Sequence, residues 1–67
     1  MLSYLVTFRW HETDTWCSNI AKAKSEEAVR SYYQNNFHTI DIYISPLSSM
    51  EVEIYTERNM PIVTIEN

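Results

Sequence analysis

The sequence has 67 residues, a formal net charge of −4 and no glycine, and these features argue against several classes of function. Glycine-rich phosphate-binding loops need backbone without a Cβ beside the ligand, so the lack of glycine argues against nucleotide chemistry. Five Lys and Arg against nine Asp and Glu argue against a protein held on nucleic acid by phosphate contacts.

The length predicts one domain, residues 1–67, with a small core. A single cysteine, Cys17, cannot form an intramolecular disulfide, so stability must come from packing, which self-association can complete. The first residues lack the basic region and cleavage site of a signal peptide, and no apolar run approaches the ~18 residues of a membrane span. We expect a cytoplasmic protein that forms a homodimer and needs neither membrane nor cofactor.

In residues 2–10, apolar or aromatic side chains at even positions alternate with mostly polar side chains at odd positions, which predicts a half-buried strand. A polar loop over 11–14 returns the chain as a second strand, Thr15–Lys24. The four-residue loop sets Phe8 opposite Cys17 and Val6 opposite Asn19, so that large side chains meet small ones. Asn19 is the exception, and we expect a bulge or a hydrogen bond to backbone there.

Ser25, followed by two glutamates, predicts the N-cap of a helix of about ten residues. Asn35 and Asn36 are expected to stop it in a left-handed conformation, because glycine is lacking. Its predicted buried stripe consists of Ala28, Val29, Tyr32 and part of Tyr33.

A third strand is predicted over Thr39–Ser45, giving an antiparallel sheet of order 2-1-3. The segment 49–58 alternates like a strand, yet Ser48 and Glu51 form a capping-box pattern and Asn59 precedes a Met-Pro stop signal, which favours a second helix. Residues 60–66 are expected to be a short strand or a tail. The predicted fold is α+β with the order ββαβαβ.

Four segments together resemble a loose group of small uncharacterised proteins encoded by bacterial phages, plasmids and integrative elements. The segments are Tyr4–Arg9, Cys17–Ile20, Ser25–Val29 and Asn59–Val63. The resemblance implies no catalytic residues. It implies an inhibitor or adaptor of host defence or DNA-handling machinery, such as an acidic anti-CRISPR-like modulator.

Potential metal ligands gather around the first loop, namely His11, Glu12, Asp14 and Cys17, with His38 as an outside partner. A strand that directs Cys17 into the sheet would split this set, and a lone cysteine opposite Phe8 is more often a small hydrophobic residue than a nucleophile. We therefore predict no metal site and no enzyme.

The outer face of the first hairpin is a stronger functional candidate than the metal ligands or the cysteine. Ser3, Leu5, Thr7 and Arg9 lie on this face. Its predicted interface residues are Leu5, Arg9, Trp16, Ile20 and Tyr43. Trp, Tyr and Arg dominate interface hot spots, so we predict that this face binds a protein partner or a second copy. A single-stranded nucleic acid, held also by Lys22 and Lys24, is the alternative. A third interpretation covers this face with residues 49–58, making it core.

The helix predicted over 49–58 sets Glu53 and Glu57 four residues apart on one face. This pair predicts an acidic contact that imitates phosphate to a basic, nucleic-acid-handling partner. An ordinary solvated helix face is the alternative.

Overall fold

The computed structural model describes residues 1–12 and 15–66. The elements are β1 (Leu2–Arg9), β2 (Cys17–Ala23), α1 (Glu26–Phe37), β3 (Asp41–Leu47), α2 (Ser49–Glu57) and β4 (Ile62–Thr64). The strands form one sheet in the order β3-β1-β2-β4. The α+β class is confirmed, but the sheet is mixed instead of antiparallel, because β4 runs parallel to β2.

The register of the β1–β2 hairpin is as predicted along the whole ladder, from Leu2 opposite Ala23 to Phe8 opposite Cys17. The second strand is shorter than expected and begins at Cys17. Asn19 pairs in register with Val6, so the expected bulge is wrong. The side chain of Asn19 donates instead to the Tyr33 hydroxyl, at 3.2 Å, and not to backbone.

Helix α1 begins as predicted, because the Ser25 hydroxyl accepts from the backbone N–H of Ala28. The predicted stop at Asn35 and Asn36 is wrong, since the helix continues to Phe37 and His38 takes the left-handed conformation, with φ 52°. The additional residues include Phe37, whose ring centroid lies 5.3 Å from that of Tyr33, and this packing favours helix over an early stop.

The later helix end displaces β3 to Asp41–Leu47, two residues beyond the predicted strand. β3 is antiparallel to β1, with Arg9 opposite Asp41 and Thr7 opposite Tyr43. The 2-1-3 part of the strand order is therefore confirmed.

The inner face of the sheet, covered by α1, carries the main core. Its buried residues are Tyr4, Val6, Phe8, Ala21, Ala23, Val29, Tyr33 and Ile65. The prediction for the two adjacent tyrosines is reversed, because Tyr33 is fully buried and Tyr32 only half-buried.

The segment predicted as a second helix is helical over Ser49–Glu57, which resolves the alternative between strand and helix. Ser48 and Glu51 form the reciprocal capping box, and Asn59 adopts φ 63° directly after the helix. β4 then joins β2: the N–H of Ile20 donates to the Pro61 carbonyl at 2.9 Å, and the N–H of Ile65 to the Lys22 carbonyl at 2.8 Å.

Helix α2 covers part of the outer face. The connections β2–α1–β3 and β3–α2–β4 join strands of the same direction but cross the sheet in opposite senses, so right-handed crossovers place the two helices on opposite faces. Ile20 on the outer face is fully buried, while the half-buried Val52 and Tyr55 of α2 are not part of the inner core.

Candidate interaction surface

One end of the outer face carries a group of interacting side chains that we call the aromatic–arginine cluster: Arg9, Trp16, Asp41 and Tyr43. Trp16 and Tyr43 have ring centroids 5.5 Å apart, and the guanidinium carbon of Arg9 lies 4.6 Å from the centroid of the Trp16 ring. Three strand segments contribute to the cluster: the end of β1, the residue before β2 and the first half of β3. The β1–β3 register places Asp41 opposite Arg9.

The Arg9 guanidinium is held inside the cluster from three directions. Its Nε donates to Oδ2 of Asp41 at 2.7 Å, its Nη2 lies 2.7 Å from the same oxygen in the ion pair, and its Nη1 donates to the Glu12 carbonyl at 2.9 Å. The remaining face of the group lies over Trp16, where a cation–π contact adds attraction. Arg9 therefore contacts the indole of Trp16, and its charge is already balanced by Asp41.

The two rings of the cluster remain accessible to a partner. Trp16 is 40% exposed and Tyr43 65% exposed. Beside them the hydroxyls of Thr7 and Ser18 lie 3.2 Å apart in a cross-strand hydrogen bond. Aromatic rings that already contact each other and a hydrogen-bonded guanidinium have less conformational entropy to lose on binding than isolated side chains, which suits an interface anchor.

Three of the five predicted interface residues, Arg9, Trp16 and Tyr43, come together in this cluster. The other two do not lie on an open face: Ile20 is fully buried and Leu5 half-buried. The prediction of an open outer face is therefore wrong at Ile20, which lies on the face where the right-handed connection places α2. Leu5 remains partly accessible.

The lysines predicted to serve nucleic acid lie far from the aromatic rings. Lys22 occupies the opposite end of β2, six residues from Trp16, which corresponds to about 20 Å of strand. Lys24 is exposed and lies beyond the end of β2. The cluster thus combines two rings with a neutralised arginine and lacks a nearby free lysine among the residues the structure describes.

The predicted ligands of the first loop do not form a metal-binding group among the residues that the structure describes. His11 and Glu12 are exposed, and Cys17 packs against the inner core. Asp14 lies outside the described residues. His38, the outside partner, is exposed at the end of α1.

Helix α2 presents a second surface, which we call the acidic ridge: Met50, Glu53, Ile54 and Glu57. All four side chains are exposed, Met50 by 71% and Ile54 by 43%. At 100° per residue they lie opposite the half-buried Val52 and Tyr55. The ridge therefore combines the two predicted glutamates with exposed apolar side chains.

Sequence reasoning missed Asp41 and the apolar half of the acidic ridge. The signal for Asp41 was its position at the start of β3, which an antiparallel register places beside the end of β1. The signal for Met50 and Ile54 was their four-residue spacing, which places them on one side of a helix.

Comparison with protein-family models, curated proteins and solved structures finds no match to this chain. The described part of the structure contains no pocket. Neither helix in that part has the length and apolar content that a membrane span requires.

Proposed function

We propose that the protein is a non-catalytic interaction protein that binds a protein partner through the aromatic–arginine cluster. The observation that carries the proposal is the fixed Trp16–Tyr43 pair, exposed on the surface and held by an arginine that is itself paired with Asp41. Buried Trp, Tyr and Arg anchors supply most of the binding energy of protein interfaces. The resemblance to small proteins of mobile elements supports an inhibitor or adaptor role in a bacterial cytoplasm.

The test is quantitative capture from a bacterial lysate by the wild type, Trp16→Ala, Tyr43→Ala and Leu2→Ala. Leu2→Ala is the matched control, because Leu2 is 59% exposed but lies at the other end of β1 from Arg9, outside the cluster and outside the acidic ridge. We expect one or a few proteins to be retained by the wild type and by Leu2→Ala, and their recovery to fall at least about tenfold with either aromatic variant. Equal recovery by all four proteins would contradict the proposal.

Single-stranded nucleic acid is the competing partner of the same rings. Base stacking on aromatic side chains contributes about 1–3 kcal/mol per base, but the Asp41 contact leaves Arg9 little charge to offer a phosphate. In the same set of variants, titration of Trp16 fluorescence with an oligonucleotide at ~50 mM salt distinguishes the two partners. Trp10→Phe removes the second tryptophan. Quenching that Tyr43→Ala weakens would favour nucleic acid.

A basic partner would also contact the acidic ridge. Glu53 and Glu57 are exposed, and neither is in the ion pairs found among the described residues. We expect salt-sensitive capture that Glu53→Lys with Glu57→Lys weakens, because charge complementarity speeds association and fixes orientation. The double variant changes the formal net charge from −4 to 0, two units for each substitution.

The control for charge reversal is Glu27→Lys with Glu66→Lys. It makes the same change in net charge at exposed positions outside the ridge. Loss of capture in the ridge variant alone would support a local acidic contact. Equal loss in both would show that only overall charge matters, and unchanged capture in both would remove the phosphate-imitation hypothesis while leaving the aromatic–arginine cluster as a candidate.

A further inference from the structure

Strand β3 forms one edge of the sheet. The hydrogen bonds between β2 and β4, followed through the registers of the neighbouring strands, show which backbone groups of β3 point away from the sheet. Ile20 and Lys22 direct their backbone groups toward β4. Because the direction alternates along a strand, Asn19 and Ala21 bond to β1. Continuing across the sheet through the two registers, Tyr43 and Ser45 of β3 bond to β1.

The alternate residues, Ile42 and Ile44, must therefore direct their N–H and C=O groups away from the sheet. Pro46 falls in the same outward set and has no N–H to offer, which fits an edge position. At the other end, the N–H of Ile40 already donates to the Arg9 carbonyl at 3.1 Å. Ile42 and Ile44 thus each offer one free N–H and one free C=O group. On either side of them, Ile40 and Pro46 have no N–H available to donate.

We propose that β3 pairs with β3 of a second copy, in an antiparallel register that places Tyr43 opposite Tyr43 of the partner. Ile42 and Ile44 then exchange four hydrogen bonds with Ile44 and Ile42 of the second copy, which satisfies all their outward groups. The same surface patch serves both copies, as a two-fold symmetric interface requires. The sheet becomes continuous with eight strands.

Charge and side chains favour a second copy at this edge. The charged residue of β3 is Asp41, and Arg9 neutralises it at 2.7 Å, so two edges meet without strong repulsion although each chain carries −4. Tyr43 is 65% exposed and would gain an aromatic cross-strand pair. The two aromatic–arginine clusters would then lie side by side on one surface.

Cross-linking tests the register directly. Residues opposite each other in a non-hydrogen-bonded antiparallel pair have Cα atoms about 4.5 Å apart, within the range that a disulfide spans. In a Cys17→Ala background, Tyr43→Cys is expected to give a disulfide-linked dimer with oxidised glutathione at ~100 µM protein. Ser45→Cys is the matched control, since the proposed register separates the two copies of that exposed position by about 14 Å.

Sedimentation of unmodified chains provides the second measurement. We expect the wild type and Ser45→Lys, which faces Asp41 of the partner, to form dimers at ~100 µM. Tyr43→Lys places two ammonium groups opposite each other, so we expect a monomer that keeps the wild-type circular dichroism. A monomeric wild type at ~500 µM, or equal cross-linking through Ser45→Cys, would overturn the proposal.

The dimerisation experiments and the partner-capture experiments can fail independently of each other. Trp16 is not part of the β3 edge, so Trp16→Ala is expected to lose partner capture and remain dimeric. If dimerisation fails while the wild type still captures a partner, only the β3 pairing is wrong. If Trp16→Ala captures normally while cross-linking succeeds, the proposed function fails and the β3 pairing stands.

Discussion

Asn19 and Tyr33 form a polar contact at the boundary of the inner core. The Asn19 amide donates to the Tyr33 hydroxyl at 3.2 Å, while the Tyr33 ring packs 5.1 Å from that of Phe8. Burial raises the pKa of Tyr33 above its ordinary 10.0, and the Asn19 hydrogen bond opposes this only in part. The folded protein therefore holds this phenol in its neutral form.

This raised pKa predicts loss of stability in alkaline solution. The unfolded chain ionises Tyr33 near pH 10 and the folded chain at higher pH, so the stabilisation is complete below pH 10 and falls as pH rises toward the folded pKa. We expect the urea midpoint to decrease as the pH rises above 10, and to decrease less in Tyr33→Phe. Tyr43→Phe, at an exposed position, should follow the wild type, and an unchanged decline in Tyr33→Phe would refute the explanation.

Three of the four residues of the aromatic–arginine cluster could be predicted from the sequence. Arg9, Trp16 and Tyr43 were found because strand alternation assigns each residue to a face, and alternation is a local property. Asp41 was not found, because its role depends on the register between β1 and β3. That register pairs residues more than thirty positions apart, so it is not a local property of the sequence.

At the scale of elements, part of the outer face is buried on the side of the sheet where the right-handed connection places α2. Ile20 and Ile62 are register partners on neighbouring strands, but Ile20 is fully buried and Ile62 is 44% exposed. They form a matched pair of the same residue type on the same face. Their difference therefore measures what burial beneath the helix contributes.

We expect Ile20→Ala to lower the free energy of unfolding by about 2–5 kcal/mol, since it removes buried atoms and leaves a cavity. Ile62→Ala should cost about 1 kcal/mol or less, because much of its side chain already contacts water. Urea denaturation with a shared m-value measures both. Similar costs for the two variants would show that α2 does not cover Ile20.

The helix starts were predictable and their surroundings were not. Ser25 and Ser48 are each followed by a glutamate within three residues, a pattern typical of a helix N-cap. Because this pattern lies within four residues, the local sequence is enough to predict where each helix begins. The end of α1 depends instead on Phe37 packing against Phe8 of β1, with ring centroids 6.3 Å apart, a tertiary contact that overrides the asparagine signal. Local chemistry specified where helices begin, and packing decided where this one ends.

At the scale of the whole molecule, the position of β4 determines which surfaces stay open. Helix α2 lies in the connection from β3 to β4. If residues 62–64 were a tail, this connection would not need to cross the sheet, and Leu5 and Ile20 would be available to a partner. No local pattern encodes a parallel pairing with β2. The division of the predicted interface into a covered half and an exposed cluster therefore follows from topology.

The parallel pairing of β2 with β4 also bears on how fast the chain folds. Ile20 pairs with Ile62, 42 positions later, and Ser3 pairs with Leu47, so much of the sheet closes through large sequence separations. Such topologies fold slowly for their size, because loop-closure entropy is lost before distant contacts form. Until β4 arrives, the edge of β2 and the apolar side chain of Ile20 remain exposed on a nascent chain, which makes this interval the time of greatest risk of aggregation.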